Sequence, residues 1–355
     1  MPVIFEMNHL ELNPSEVLEA IAPTVQIGRK EYVAGRICFA MMFFIPPDGT
    51  FSTPPRMIEA LARVEPDFPP EFFEFWDADG PYQSGAAPQQ PPPDPKEALA
   101  AFMDENKTHV TGTFAGRRWN GALDGTVPTT QLVSWFYDRI FEQDSHRDVD
   151  RSNTFQVNIP LTILDNLKRL QLTQRLFADL CNILQPLFAV GGLCMTTPLD
   201  PVILRAQQEK EVLLPLLENH PGPLFGSAFD MSGHTRWRMS AVNWLTAIRG
   251  DLLKLCGGPE AVLAQLGRPG FHTAQFSADG LLIQAGPSPQ LGKSTEGTDL
   301  SHYGDLARAL KPARLQVTSG RMPHMAYYGP EDALYSDEVM AQAQNAGLAR
   351  FDAMT

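Results

Sequence analysis

The ten-residue segment Arg36–Ile45 (RICFAMMFFI) constrains the fold of this chain more than any other stretch. All of its residues except Arg36 are apolar, many are aromatic or branched, and the turn cluster Pro46-Pro47-Asp48-Gly49 follows at once. Such a run, bounded by turn residues, predicts a strand that is buried inside a sheet. It is shorter than the roughly 18 apolar residues that indicate a membrane helix. The segment therefore predicts a globular domain built around a buried strand.

The remaining hydrophobic patterns predict strands and helices that follow no strict β-α-β order. Further strands are predicted over Thr108–Phe114, Thr154–Ile159, Leu187–Met195, Val242–Ile248, Phe271–Phe276 and Leu281–Gln284. Helices are predicted from about Pro55 and over Pro95–Asn106, Thr129–Gln143, Leu161–Gln185, Pro201–Asn219, Asp251–Cys256, Pro259–Leu266 and Asp299–Leu310. We therefore predict an α+β fold, with mixed or antiparallel sheets flanked by helices. Two packed α/β subdomains, with a break near residue 150, are the alternative arrangement.

Length and composition fit one large domain or two smaller ones. The chain has 355 residues, of which 43% are hydrophobic and 19% are charged, so a sizeable core can form without metals or disulfides. Part of the high proline content, 31 residues, lies in Gly80–Pro95 (GPYQSGAAPQQPPPDP). This low-complexity stretch predicts an exposed loop.

The net charge of −13 is distributed unevenly along the chain. Residues 1–160 hold 23 acidic and 12 basic residues, a net charge of −11, whereas residues 161–355 have a net charge of only −2. A negative field repels nucleic-acid phosphates, so direct nucleic-acid binding is not expected. The same field attracts a basic protein partner.

The strongest candidate for a partner-binding surface combines carboxylates with aromatic rings. In such an interface, rings anchor the partner and carboxylates steer its approach. The candidates in this segment are Glu65, Asp67, Glu71, Phe72, Phe73, Glu74, Trp76, Asp77 and Asp79. A second acidic group comprises Asp144, Asp148 and Asp150. The alternative interpretation is an amphipathic element with its rings in the core and its acids in water.

Catalytic motifs are missing from the sequence. It contains no phosphate-binding glycine loop, no nucleophile elbow, no H-E-x-x-H and no C-x-x-C pair, so we expect no cofactor, no metal and no enzyme activity. The alternative is a hydrolase or modifying enzyme with a site around Asp230, His234, Arg236 and Arg238.

The amino terminus lacks a signal peptide's basic region and long apolar core, and the four cysteines are scattered. We therefore expect a cytoplasmic protein with reduced thiols.

A series of short motifs in the last third of the chain resembles one known family. These motifs are Ser240–Thr246 (SAVNWLT), Leu252-Leu253, Gly257-Gly258, Gly280–Pro287 (GLLIQAGP), Pro289–Gly292 (PQLG), and Tyr303, Leu306, Ala307 and Leu310-Lys311-Pro312. In this order they resemble the type VI secretion system immunity family, formerly a domain of unknown function. The resemblance extends loosely over Ala34–Pro312. It implies an N-terminal extension at residues 1–33, a family domain at 34–312 and a C-terminal tail at 313–355.

The resemblance implies an antitoxin that neutralises a cognate effector delivered by neighbouring bacteria. Relatives are associated with nuclease effectors, including those with VRR-Nuc domains, which agrees with the charge because a nuclease needs a basic face to hold phosphate. The resemblance does not decide whether the antitoxin blocks the active site of the toxin or disrupts toxin assembly. It also does not decide whether the antitoxin self-associates. The family implies no catalytic residues for this chain. We expect Asn243, Trp244, Gly286 and Gly292 to define the fold.

Overall fold

A computed structural model describes about half of the chain. The described residues are 22, 24–27, 29–46, 52–67, 69, 71–76, 94, 96–97, 113–121, 126–138, 152–164, 167–198, 222–225, 238–292, 300–315, 349 and 351–352. The predicted loop at Gly80–Pro95 and the predicted helix over Pro201–Asn219 fall largely or wholly outside them.

Twelve strands and five α-helices lie in the described part of the chain. The strands are β1 (Thr24–Ile27), β2 (Lys30–Val33), β3 (Arg36–Ile45), β4 (Phe72–Trp76), β5 (Thr113–Asn120), β6 (Gln131–Asp138), β7 (Asn153–Ile159), β8 (Phe188–Thr196), β9 (Leu224–Phe225), β10 (Leu245–Arg249), β11 (Phe271–Phe276) and β12 (Gly280–Ala285). The helices are α1 (Thr53–Val64), α2 (Leu167–Leu184), α3 (Gly250–Leu255), α4 (Pro259–Gln265) and α5 (Ser301–Ala309). Short 3-10 turns cover Leu161–Ile163 and Lys311–Ala313. None of the helices described has the length and apolar character needed to span a membrane.

One ten-stranded sheet joins both halves of the sequence. Its strands run in the order β11-β12-β10-β8-β3-β7-β6-β5-β4, and every neighbouring pair on this path is antiparallel. The short strand β9 pairs in parallel with β8, while β1 and β2 form a separate hairpin. This arrangement confirms the predicted α+β class. Strands from either side of residue 150 meet in the same sheet.

Strand β3 forms the centre of the sheet, as its sequence predicts. It pairs with β7 on one edge and with β8 on the other, and every residue from Ile37 to Ile45 is buried. Phe43 packs against Phe177 of α2, with ring centroids 5.4 Å apart. Phe44, the next residue along the strand, stacks on Phe188 at 4.2 Å. Because neighbouring residues of a strand point to opposite faces, β3 contributes to the core on both sides.

The predicted helix over Thr129–Gln143 is wrong. Residues Gln131–Asp138 form β6, which pairs with β5 on one side and with β7 on the other. Leu132, Val133, Trp135 and Tyr137 are all buried. Burial on both faces produces a run of apolar residues that also fits helical spacing. The aromatic residues in this segment favour a strand, and pairing with two neighbours stabilises it.

The predicted helix over Leu161–Gln185 divides in the structure into the 3-10 turn Leu161–Ile163 and helix α2. The predicted hairpin of β11 and β12 is confirmed. Its pairing runs from Phe271 opposite Ala285 to Phe276 opposite Gly280.

A buried asparagine joins β8, β9 and β10. The Asn243 side chain donates a hydrogen bond to the carbonyl of Gly222 (2.9 Å) and accepts one from the backbone N–H of Trp244 (2.7 Å). Gly192 of β8 lies directly beneath this side chain, and a Cβ at Gly192 would come 1.8 Å from Asn243 Oδ1. Asn243 fits here because Gly192 has no side chain.

Residues near the carboxyl terminus pack against α5. The ring of Phe351 is buried and meets Tyr303 edge-on, with centroids 5.4 Å apart. The carboxylate of Asp352 accepts two hydrogen bonds from the Arg314 guanidinium (2.6 and 2.7 Å) and lies 3.3 Å from Lys311 Nζ. The hydrogen bond and charge of Arg314, assisted by Lys311, lower the pKa of Asp352.

We predict that Gly192→Ala and Asn243→Ala are each destabilising but not additive. Each single substitution should lower the free energy of unfolding by about 2–4 kcal/mol, through a clash in the first and unsatisfied buried polar groups in the second. The double variant should lose at least about 1 kcal/mol less than the sum, since removing the Asn243 side chain makes room for the methyl group introduced at position 192. Chemical denaturation of the four proteins measures this coupling, and strict additivity would contradict the contact.

We also predict that Asp352 stabilises the fold only above acidic pH. Because its pKa is lowered in the folded state, its contribution is complete above the unfolded value of about 3.9 and is lost as the pH falls through the lower folded value. The pair is partly exposed, so the contribution should be about 1 kcal/mol or less. Thermal unfolding of the wild type and Asp352→Asn should differ at pH 6 and converge at an acidic pH below the lowered pKa of Asp352. An equal difference at both pH values would contradict this assignment.

Candidate protein-binding surface

The acidic linker, defined here as Glu65, Asp67 and Glu71, connects α1 to β4. Helix α1 begins with prolines in its first turn, and one face buries Met57, Leu61 and other apolar residues. The backbone N–H of Glu65 bonds to Leu61 as the helix ends, and that of Asp67 bonds to Val64 (3.1 Å). The buried face of α1 therefore fixes where these two carboxylates emerge.

Two arginines form ion pairs with the acidic linker without burying it. Arg118 of β5 pairs with Glu65; the arginine side chain is 3% exposed, whereas that of Glu65 is 44% exposed. Arg63 lies 3.3 Å from the Asp67 carboxylate and 2.9 Å from that of Asp179 on α2. These pairs reduce the local negative charge and hold the carboxylates in place. The acids stay at the surface, where a partner protein can reach them.

Amide side chains of β5 and β6 anchor the second half of the acidic linker. The N–H of Glu71 donates to Asn120 Oδ1 (2.7 Å), and Asn120 Nδ2 donates to the carbonyl of Pro69 (3.3 Å). Gln131 Nε2 donates to the same carbonyl at 3.3 Å. The linker is therefore tied to two strands of the sheet.

A small open cleft lies beside the acidic linker. Its empty volume is about 280 Å³, and its lining combines the Glu65–Arg118 pair with apolar side chains and two amides. The lining residues are Leu61, Val64, Glu65, Arg118, Trp119, Asn120, Gln131, Leu132 and Val133. Because this volume includes open solvent, the enclosed space is far smaller than the roughly 300–1,000 Å³ of pockets for small-molecule ligands. This shallow cleft suits a side chain of a docking protein better than a small-molecule substrate.

Strand β4 carries four of the predicted partner-binding residues to one end of the sheet. It pairs with β5, and within the described residues no strand lies on its other side. Phe72 is opposite Trp119, Phe73 opposite Arg118, Glu74 opposite Arg117 and Trp76 opposite Ala115. The predicted residues Asp77, Asp79, Asp144, Asp148 and Asp150 lie outside the described part of the chain. The structure thus brings Glu65, Asp67, Glu71 and β4 together.

A family described as "Type VI immunity for VRR-NUC" matches residues 130–338 of the sequence, more than half of the chain. The chain belongs to this family of type VI immunity proteins. The matched range includes the motifs from Ser240 to Pro312 on which the resemblance rests.

A solved structure has the same fold. It is the "Pseudomonas aeruginosa T6SS protein PA0821", with a TM-score of 0.70 and 18% sequence identity over 92% of this chain and 87% of that chain. At this identity the similarity concerns the fold alone. No curated protein matches the sequence.

The family motifs around Asn243 lie at the junction of β8, β9 and β10. Trp244 is completely buried, packs edge-on against Phe39 and donates its indole N–H to the carbonyl of Gly286 (3.0 Å). Gly286 and Gly292 have φ angles of +85° and +70°, which disfavour other residues. These contacts agree with a structural role, which we propose for all four residues.

The alternative site lies almost wholly outside the described residues. Of its four members the structure describes only Arg238, whose guanidinium donates to the carbonyl of Pro312 (3.3 Å). The described residues contain no group of His, Cys, Asp and Glu placed to hold a metal. Burial raises the pKa of the Cys38 and Cys181 thiols, which keeps them protonated and weakly nucleophilic. The family match does not favour an enzyme.

The sequence interpretation missed Arg118, Asn120 and Gln131. All three lie far along the chain from the acidic linker and reach it only through the pairing of β4, β5 and β6. The missing prediction of β6 as a strand concealed this proximity. The consecutive arginines at 117 and 118 are the sequence signal for an ion pair with the acidic linker. Which acidic residue they pair with depends on the register of the sheet.

We predict that Asn120→Ala loosens the acidic linker without changing its charge. The substitution removes the closer of two acceptors for the Glu71 N–H, leaving the Trp119 carbonyl at 3.3 Å, and also removes a donor to Pro69, which should cost about 1 kcal/mol of stability. Hydrogen exchange at the Glu71 amide should accelerate about fivefold or more. Asn182→Ala, which removes an exposed amide of α2, is the control and should leave that amide unchanged. Unaltered exchange in Asn120→Ala would contradict the anchoring.

Proposed function

We propose that this immunity protein binds a nuclease effector stoichiometrically and transforms no substrate itself. The observation that carries the proposal is the exposed acidic linker beside a small apolar cleft at one end of the sheet. A VRR-NUC effector is the partner that the family description suggests. Because a nuclease holds phosphate with basic side chains, its active-site face is complementary to an acidic surface.

The acidic linker supplies the first step, the approach of the effector. Its carboxylates belong to a chain of net charge −13, which raises the encounter rate with a basic protein. We propose that Asp77, Asp79, Asp144, Asp148 and Asp150 extend this surface. Exposed charges are screened by salt within about 8–10 Å, so the steering should weaken as ionic strength rises.

The aromatic residues of β4 supply the second step, the retention of the effector. Phe72, Phe73 and Trp76 occupy the strand at the end of the sheet, next to the cleft. Aromatic anchors surrounded by polar residues account for much of the affinity in protein interfaces. We propose that this surface covers the effector's active site or the surface through which the effector assembles, and that the encounter occurs in the cytoplasm.

The structure also bears on the competing hypothesis of an enzyme. The cleft beside the acidic linker is small, and the only described residue of the alternative site bonds to a backbone carbonyl. The purified chain alone should show no hydrolytic activity. Activity abolished by His234→Ala would instead favour the enzyme hypothesis.

We predict that Glu71→Lys slows association with the nuclease domain of a VRR-NUC effector from the same genome. The substitution changes the local charge by two units next to the cleft, so the association rate should fall about three- to tenfold at low salt. Rapid-mixing fluorescence at about 20 and 300 mM salt measures this rate, and the difference should shrink at high salt.

The matched control for this prediction is Glu260→Lys, an exposed glutamate on α4. It makes the same change in total charge on a helix that does not contribute to the acidic linker or its cleft. Its association rate should stay within about twofold of the wild type. Equal slowing by both variants would assign the effect to net charge and contradict a localised acidic surface.

A further inference from the structure

The two ends of the ten-stranded sheet differ in chemistry. One end is β4, which contains Glu74 and follows the acidic linker. The other end is β11 (FHTAQF), which contains no Asp, Glu, Lys or Arg and no proline. Edge strands in soluble proteins are commonly protected by charges, prolines or bulges. Strand β11 has neither a Lys, Arg, Asp or Glu nor a proline to protect it.

The hydrogen-bond pattern of the hairpin shows which backbone groups face away from the sheet. The N–H of Gly286 donates to the carbonyl of Gly270 (2.9 Å), so these opposed residues form a hydrogen-bonded pair. Such pairs alternate with non-bonded pairs along an antiparallel ladder. It follows that His272, Ala274 and Phe276 bond to β12. The N–H and C=O groups of Phe271, Thr273 and Gln275 therefore point outward.

The outward edge is accessible. Thr273 and Gln275 are exposed, Phe271 is half-buried, and within the part of the chain that is described β11 pairs only with β12. This leaves an uncharged row of backbone donors and acceptors, supplied by three residues. A further strand can pair with it.

We propose that β11 pairs with β11 of a second copy of this chain, in antiparallel orientation about a two-fold axis at Thr273. In this register Thr273 faces its own counterpart, and Phe271 faces Gln275 of the other copy. Each of the three residues whose backbone groups point outward therefore lies opposite another such residue. Each hydrogen-bonded pair of an antiparallel ladder contributes two bonds, so about six backbone hydrogen bonds join the copies.

Charges at the two ends of β11 favour a second copy over a different partner. Arg268, which pairs with Asp305 but is still 41% exposed, precedes the strand, and the exposed Asp279 lies in the hairpin turn after it. Antiparallel pairing brings the Arg268 end of one copy next to the Asp279 end of the other. Opposite charges then meet twice, by symmetry.

The rest of the molecule also directs self-association to this edge. Two chains of net charge −13 repel each other, and the repulsion is least where the surface carries no excess negative charge. The β4 ends lie at the far ends of the combined sheet. The inference does not rest on the proposed function, but it leaves both acidic linkers free for effectors.

Sedimentation velocity of the full chain tests the proposal. A single edge pairing buries little surface, so the association should be weak. We expect the weight-average mass to rise from 39.3 kDa toward twice that value between about 5 and 300 µM. A mass that stays at 39.3 kDa over this range would overturn the proposal.

Charge substitutions at Thr273 locate the contact. Thr273→Lys and Thr273→Glu place like charges opposite each other at the axis, so each variant alone should weaken dimerisation at least about tenfold. An equimolar mixture of the two should regain the dimer, since Lys then faces Glu. Thr273→Val keeps the β-branched shape and should dimerise like the wild type. Circular dichroism checks that both single variants are folded, and a failure of the folded variants to regain association on mixing would overturn the proposal.

A final measurement separates this edge from the effector-binding surface. Effector binding by Thr273→Lys should match that of the wild type within about twofold. If Thr273→Lys reduces effector affinity as strongly as it reduces self-association, β11 is an effector contact, and the assignment to a second copy is wrong.

Discussion

The burial of β3 on both faces and both edges is the constraint on which the rest of the structure depends. Its apolar side chains can leave water only if helices or loops cover each face and strands flank each edge. Strands β7 and β8 satisfy the edges, and Phe177 of α2 covers part of one face. Both flanking strands lie far along the chain from β3, which covers Arg36–Ile45, whereas β7 begins at Asn153 and β8 at Phe188. One central strand thereby forces the two halves of the sequence into a single sheet.

The sheet in turn gives the molecule two chemically different ends. At one end, α1 and β4 hold carboxylates at the surface through a buried arginine and two amides. At the other, β11 ends the sheet with uncharged residues. The binding that we propose, of a basic effector at the first end and of a second copy at the second end, needs no catalytic centre. Binding of an effector agrees with membership in a family of immunity proteins.

The sequence predicts much of this fold where the patterns are local. The apolar run of β3 and the Ala278-Asp279-Gly280 turn between β11 and β12 each carry their signal within a few residues. The family motifs around Trp244 also lie in a short stretch. By contrast, Trp135 and Phe136 fit a helix as well as a strand, because a strand buried on both faces loses its alternation. Only pairing with β5 and β7 decides between them, and pairing is a property of the whole sheet.

The candidate surface also depends on strand pairing as well as on the local sequence. The acids at 65, 67 and 71 can be read from the sequence. The ion pair of Glu65 with Arg118, and the bonds that Asn120 and Gln131 make to the backbone of Pro69 and Glu71, require the register of three strands. We propose that the chain acts by occupying an effector. A titration of the nuclease activity of a VRR-NUC domain with the full chain tests it most directly. We expect activity to fall linearly and reach zero near one or a small fixed number of chains per domain. Progressive inactivation by a small fraction of an equivalent, or undiminished activity in excess chain, would contradict the account.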